Sequence, residues 1–265
     1  MDFDRFCREH ELHYYLIGGA LLGAARYQGF IPWDDDIDVA MPREDYEKLK
    51  EVWKAHPLPG YFLQHAGTEP SFARGIMKVR KNGTSIIENT AKHVPMNTGI
   101  YIDIFPIDYA EAEDFKKLDR RAKKIRRWMS LRSIKAGYLN GRHSLAKALI
   151  RYGTFFLSAR AIDERLDSLC RADNDKARNY AVLFLHNYDW TRQFHEIATF
   201  GSGSICRFEG YEFTAPADMN GFLTRVFGED YMKEPEASKR IPPHNYISID
   251  FGTPAKERGH TQSSI

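Results

Sequence analysis

The stretch Asp34-Asp35-Asp36-Ile37-Asp38 places four carboxylates within five residues, immediately ahead of the apolar run Val39-Ala40-Met41. Side chains alternate along an extended chain, so Asp34, Asp36 and Asp38 are expected on one face, with Asp35, Ile37 and Val39 on the other. Three like charges on one face repel one another unless a cation sits among them. Hard carboxylate oxygens suit Mg2+, with Mn2+ as the alternative, and such an ion usually keeps substrate phosphates in its shell. The chemistry expected of Asp36 and Asp38, with Asp34 beside them, is therefore metal-assisted transfer of a phosphate-containing group. Upstream, Gly18-Gly19 follows the apolar Tyr15-Leu16-Ile17, and glycines at that point let phosphate oxygens approach backbone N–H groups at a helix start. Asp103 in YIDIFPID is set among Tyr101, Ile102, Ile104 and Phe105, where an acid with no task would be costly, so it is expected to bind metal or take part in catalysis. Asp108 follows Pro106 and reads as a turn or cap residue beyond the strand's end. A run of aspartates alone is usually a solvated loop; the adjoining apolar strand and the Gly-Gly turn raise this one above that reading.

Regular elements must hold these groups. Periodicity predicts a helix over 4–14, a short buried strand at 15–17, a helix over 20–27, a loop at 29–33 and a strand at 36–41. A helix over 43–55 begins just after Pro42 and carries Tyr46, Leu49 and Trp53 on one face. Strands are expected at 76–80 and 101–105, and again near 180–184 and 206–213, the last pair turning at Glu209-Gly210. The end, from Ser248, has little periodic apolar content and reads as irregular. Strands alternating with helices indicate an α/β or α+β core.

The chain has 265 residues, 43% hydrophobic and 28% charged, enough for one sizeable core. Its net charge of +2 names no partner, so any charge signal must be local. Between Lys116 and Lys135 ten basic residues face one acid, Asp119, while Phe115, Leu118, Ala122, Ile125 and Met129 recur at helical spacing. This is an amphipathic basic helix, followed by a loop near Asn140-Gly141 and further helix to about residue 176. Three widely spaced cysteines, Cys7, Cys170 and Cys206, argue for a reducing compartment rather than a disulfide framework. Cys7, His10 and His13 read as helix surface rather than a zinc site. The apolar run Leu16–Ala25 is preceded by acids and is too short to span a bilayer, so a cytoplasmic protein is expected, at most peripheral at the inner face of the membrane.

The segment GGALLGAARYQGFIPWDDDIDVAMPREDYEKL resembles the signature of the LicD family, to which the fukutin-type proteins are related. The resemblance continues in YIDIFPID and in FEGYEFTAPADMNGFLTRVFGEDYMKEPEASKR, and so touches the beginning, middle and end of the chain. It implies an α+β, nucleotidyltransferase-like mixed sheet flanked by helices, with a helical basic insertion and a C-terminal β-containing segment. A single domain over 1–265 is expected, with a catalytic core near 12–110, the basic helical region near 111–178 and the C-terminal segment near 179–265. The resemblance also implies transfer of phosphocholine, or a similar phospho-alditol or phospho-sugar, from a CDP-linked donor to a glycan or lipid-linked glycan. Lipopolysaccharide, teichoic acid or capsule would be the acceptor. In that reading the donor's pyrophosphate lies against Gly18-Gly19, and Mg2+ bridges it to Asp36 and Asp38. Asp103 is then a further ligand or the base for the acceptor hydroxyl.

Arg26 would steady a phosphate oxygen or else form a surface salt bridge, and Lys239 and Arg240 would contact phosphate. Trp33, with Tyr27 and Phe30, would cage a choline headgroup or simply pack in the core. Family members often carry paired histidines after the Lys-Arg pair; here KRIPPHNY leaves only His244. Two other readings use the same residues: a nucleotidyltransferase that leaves a nucleoside monophosphate on its acceptor, and an RNA-binding module built on the basic helix. The basic stretch lacks interleaved exposed aromatics, so no nucleic acid is expected, and its cations are assigned to an anionic membrane surface or a lipid-linked glycan.

Overall fold

The computed structural model describes residues 1–111, 115–137, 144–176, 179–242 and 244–252. Helix α1 (Asp2–Glu9) opens with two acids in its first turn and turns Phe3, Phe6 and Cys7 inward. Strand β1 (Tyr15–Ile17) is wholly buried and runs straight into α2 (Gly18–Tyr27), so the glycine pair is the first turn of the helix rather than a loop before it. Strand β2 (Asp38–Pro42) leads into α3 (Arg43–Ala55), which begins after Pro42, has Glu44 and Asp45 in its first turn, and buries Tyr46, Leu49 and Trp53. There follow β3 (Tyr61–Gln64), β4 (Met77–Lys81), β5 (Ser85–Glu88) and the long β6 (Tyr101–Ala110).

The basic helix is α4 (Phe115–Ala136), packed against α5 (Ser144–Gly153) and α6 (Ala159–Cys170). The expected loop at Asn140-Gly141 lies outside the described residues. The chain closes with β7 (Tyr180–Val182), β8 (Phe194–Glu196), α7 (Ile197–Phe200), β9 (Ser204–Phe208), β10 (Tyr211–Ala215), α8 (Met219–Phe227) and β11 (Tyr246–Asp250).

Seven strands form one mixed sheet in the order β1-β2-β6-β4-β3, with β7 and β8 added along the far half of β6. The β2–β6 pair is parallel and the other pairs antiparallel, an α+β arrangement as expected. Two expectations need correction. Strand β6 does not stop at Pro106 but continues to Ala110. Its partner β4 covers residues 101–104 and β7 covers 108–110, so Pro106 sits in the gap between them, where its missing N–H costs no ladder bond. Asp108 is consequently no cap: it is fully buried in the extended strand, held by Arg43 and Asn174. The chain beyond Ser248 is not irregular from its start either, because 246–250 pairs with β5. The strand is short, and its alternating Ile247 and Ile249, like Phe251 just after it, are exposed rather than buried in the core.

The Glu209-Gly210 turn forms as expected, with both residues at positive φ, the backbone twist that suits a two-residue hairpin. All three cysteines are free and buried, Cys7 in the core rather than on a helix surface. One hydrophobic core draws on Phe3 and Leu21 near the start, Ile104 and Ile125 in the middle, and Phe222 near the end. No helix among the described residues is long and apolar enough to cross a membrane.

Candidate active site

Register across the sheet sets Ile17, Asp38, Asp103, Lys78 and Gln64 side by side on β1, β2, β6, β4 and β3. Cross-strand neighbours share a face, so an acid, an acid and a lysine stand in a row on one side of the sheet. Asp36 joins them from the loop before β2, not from a strand as alternation had suggested. The loop is pinned by the Asp103 N–H, which donates to the Ile37 carbonyl at 2.9 Å. Carboxylate oxygens of Asp36, Asp38 and Asp103 then lie within 4.8 Å of one another. Burial, then the charge of Asp38, pushes Asp36 up to about 8. Burial also raises Asp103, which stands against Asp38 but is eased by Lys78. Lys78 supplies only part of the positive charge that would let these carboxylates ionise freely, and three convergent hard oxygens are of the ligand type that Mg2+ takes.

The glycine pair explains how acids crowd here. Gly18 has φ +58°, and a Cβ on it would come within 2.8 Å of Asp38 Oδ2; one on Gly19 would come within 2.0 Å of Asp34 Oδ2. The space above the start of α2 is thus filled by these two carboxylates, at the end of the helix that favours negative charge. Asp34 stands against Gly19 rather than within the convergent trio, and burial lifts it to about 6.

Other residues expected at the site are distributed differently. Arg26 spends its guanidinium on the carbonyls of Tyr231 and Lys233, both at 2.6 Å, tying α2 to the C-terminal segment. Tyr27 donates to Glu234, and Phe30 packs on Phe208, so these two rings do not close a cage with Trp33. Arg240 lies 5.4 Å from the Trp33 ring centre and 2.8 Å from Glu234, while Lys239 is exposed. His244 is the clearest gain: it reaches Asp35 Oδ1 at 2.7 Å and Asp36 Oδ2 at 3.8 Å. Burial works against its protonation, but the bond to Asp35 and the charge of Asp36 outweigh this and raise its pKa.

Two further groups escaped the sequence reading. Lys78 is fully buried, 2.8 Å from Asp103 Oδ1 and stacked on Tyr101; burial, against the pull of Asp103, lowers it to about 8. His186, also buried, accepts the Tyr188 N–H at Nδ1, which turns Nε2 toward Asp38 Oδ2 at 3.5 Å. Lys78 carries no mark of the kind that singles out Asp103, because the strand Met77–Lys81 reads MKVRK and three of its five residues are basic; only the burial of one of them sets it apart. Nor does any signal mark His186 beyond its place at the end of the run AVLFL. Asp103 also opens onto a cavity of about 470 Å³ walled by α4 and lined by Arg74, Arg126 and Lys147.

With this geometry established, comparison with known proteins places the chain. Residues 11–130 match the family described as LicD/FKTN/FKRP, nucleotidyltransferase domain. The chain is 32% identical over 250 residues to the lipopolysaccharide cholinephosphotransferase LicD of Haemophilus influenzae, covering 91% of this chain and 90% of that one. The chain belongs to the LicD family. Membership makes it a transferase of phosphate-containing groups. Uncharacterized proteins of Rickettsia typhi and Rickettsia prowazekii share 33% identity over 64 residues, 24% of this chain and 21% and 24% of theirs. All the convergent acids, Lys78 and the pinning Ile37 carbonyl fall inside the LicD-matched span; His186 and His244 fall outside it.

Proposed function

We propose that this LicD-family protein transfers phosphocholine, or a closely similar substituted phosphate, from a CDP-activated donor to a hydroxyl of a cell-surface glycan such as lipopolysaccharide. The observation that carries this reading is the convergence of the half-buried Asp36, Asp38 and Asp103 beside the buried Lys78. It is supported by the full-length similarity to a cholinephosphotransferase. Asp36 and Asp38 would hold Mg2+, which when bound neutralises pyrophosphate charge and polarises the transferred phosphoryl group, leaving Asp103 for the acceptor. Around it, the chain's own residues have separate tasks. His186 and the Asp35–His244 pair orient Asp38 and Asp36. Gly18 and Gly19, lacking side chains, let Asp38 and Asp34 settle against the start of α2, so the glycine pair serves the donor by seating these carboxylates rather than by meeting its phosphates.

Asp103 belongs both to the carboxylate row and to the cation-lined cavity, so the acceptor glycan occupies that cavity and its hydroxyl loses a proton to Asp103. On the cavity wall Arg74 is held by Glu88 and Arg126 by the carbonyls of His186 and Tyr188. The test is isothermal titration of CDP-choline, CDP-ribitol, CDP-glycerol and CTP with Mg2+, in wild type and in Asp36→Ala/Asp38→Ala. Metal-dependent binding of one CDP-linked donor, lost in the double variant, is the expected result. Binding of CTP alone would shift the reading to a nucleotidyltransferase, and no binding at all would remove the metal role.

A further inference from the structure

Helix α5 is amphipathic in the wrong direction for a core helix. Leu145, Leu149 and Tyr152 are 82%, 73% and 82% exposed and fall within an arc of about 60° at 3.6 residues per turn. Lys147, by contrast, turns toward the cavity beside α4. None of the described side chains of α5 is buried. The apolar stripe continues past the helix end into Phe155 and Phe156, 78% and 70% exposed and packed edge to face on each other. The tip is not a loose loop: Lys135, at the end of α4, donates to the carbonyls of Thr154 and Phe155. A contiguous outward patch of this kind marks a binding surface.

Charge selects what covers it. Residues 115–160 carry 14 lysines and arginines and a single acid, Asp119. Lys116, Lys123, Lys124 and Arg127 of α4 are exposed. A second copy of so basic a segment would bring like charges together, whereas an anionic bilayer offers both a negative surface for the cations and an apolar layer for the rings. We propose that α5 and the Phe155-Phe156 tip form a membrane anchor that inserts into the interfacial layer of an anionic phospholipid bilayer, with the α4 cations over the headgroups. If the proposed function also holds, anchoring keeps the transferase at the lipid surface and favours a lipid-linked glycan as acceptor.

The anchor is tested without donor, metal or acceptor, so its outcome is separate from that of the transferase reading. The full-length protein is sedimented with vesicles of phosphatidylglycerol and phosphatidylethanolamine, or of phosphatidylcholine alone. Three proteins are compared: wild type, Leu149→Ser/Phe155→Ser/Phe156→Ser, and Lys123→Glu/Lys124→Glu/Arg127→Glu. Wild type is expected to bind the anionic vesicles and not the zwitterionic ones. Each variant is expected to lose at least about tenfold in partitioning, since both apolar insertion and charge contribute. All of the substituted side chains are exposed, so circular dichroism should be unchanged. Equal partitioning of wild type and the serine variant would overturn the proposal, as would a wild type indifferent to anionic vesicles. A wild-type dimer that the serine substitutions split into monomers would assign the face to a second copy and overturn it as well.

Discussion

At Asp36, function and stability pull in opposite directions. Its carboxylate is held among Asp38, Asp34 and Asp103 with little water to solvate it. Asp36→Asn should therefore stabilise the metal-free protein at neutral pH by about 1 kcal/mol or more, a rise of roughly 2–4 °C in Tm, while lowering transferase activity about a thousandfold. In the same variant millimolar Mg2+ should no longer raise Tm, as it should in wild type by favouring the folded state that binds it. Thermal scans with and without Mg2+ check both signs; a variant that melts lower than wild type without metal would refute the crowding argument. His195 gives the opposite kind of residue, buried and far down the chain, stacked on Phe222 and pushed by burial down to about 3 from an ordinary 6.5. Its lowered folded pKa means the unfolded chain takes up a proton that the folded one refuses. Stability from neutral His195 is thus complete above pH 6.5 and is lost as pH falls toward 3, by roughly 3 kcal/mol at pH 4. Denaturant titrations across that range should slope less in His195→Leu than in wild type.

The elements near the site are fastened in two ways, by a buried ion pair and by close backbone approach. Arg43 at the start of α3 forks onto Asp108 of β6 at 2.8 and 2.6 Å and reaches Asp167 of α6, linking three elements through one guanidinium. Arg43→Met would leave the fully buried Asp108 with only Asn174, and should cost about 3–5 kcal/mol in a urea titration. Asp108→Asn with Arg43→Met should recover part of that loss, because no buried charge is then stranded; no recovery would show that the cost lies in packing instead. Helix α2 is docked by small residues: a Cβ on Gly23 would come within 2.4 Å of the Gly29 carbonyl. Gly23→Ala should therefore destabilise the protein although alanine favours helix, and a neutral effect in the same titration would contradict the close approach.

Taken whole, the molecule closes one core over elements from both ends of the chain. Phe3 of α1, Ile104 of β6, Ile125 of α4 and Phe222 of α8 share it, and the Tyr15 hydroxyl donates to the Gly201 carbonyl 186 residues later. A single calorimetric transition, with calorimetric and van't Hoff enthalpies equal, is the expected behaviour. Phe222→Ala should shift that one transition downward by about 3–5 kcal/mol of stability without splitting it. Two transitions would mean that the basic helical region melts as a unit of its own. The interleaving also explains why His244 can reach the acids: β11 pairs with β5, far away in sequence, and delivers the histidine to Asp35.

Asp36, Asp38 and Asp103, the glycine pair, the basic helix and the Glu209-Gly210 turn were legible in the sequence because each breaks a local rule at short range. Charges interrupt an apolar strand, glycines stand where a side chain would serve, and positive residues crowd one helix. What only the tertiary structure decided depends on pairing across long separations. The register of β4 against β6 places Lys78 on Asp103, the gap between β4 and β7 lets β6 run on through Pro106, and the guanidiniums of Arg26 and Arg43 go to partners 205 and 65 residues away. The direction of the apolar stripe on α5 belongs to the same class. Periodicity reveals that a stripe exists, but whether it meets a core or solvent is set by where the rest of the chain packs.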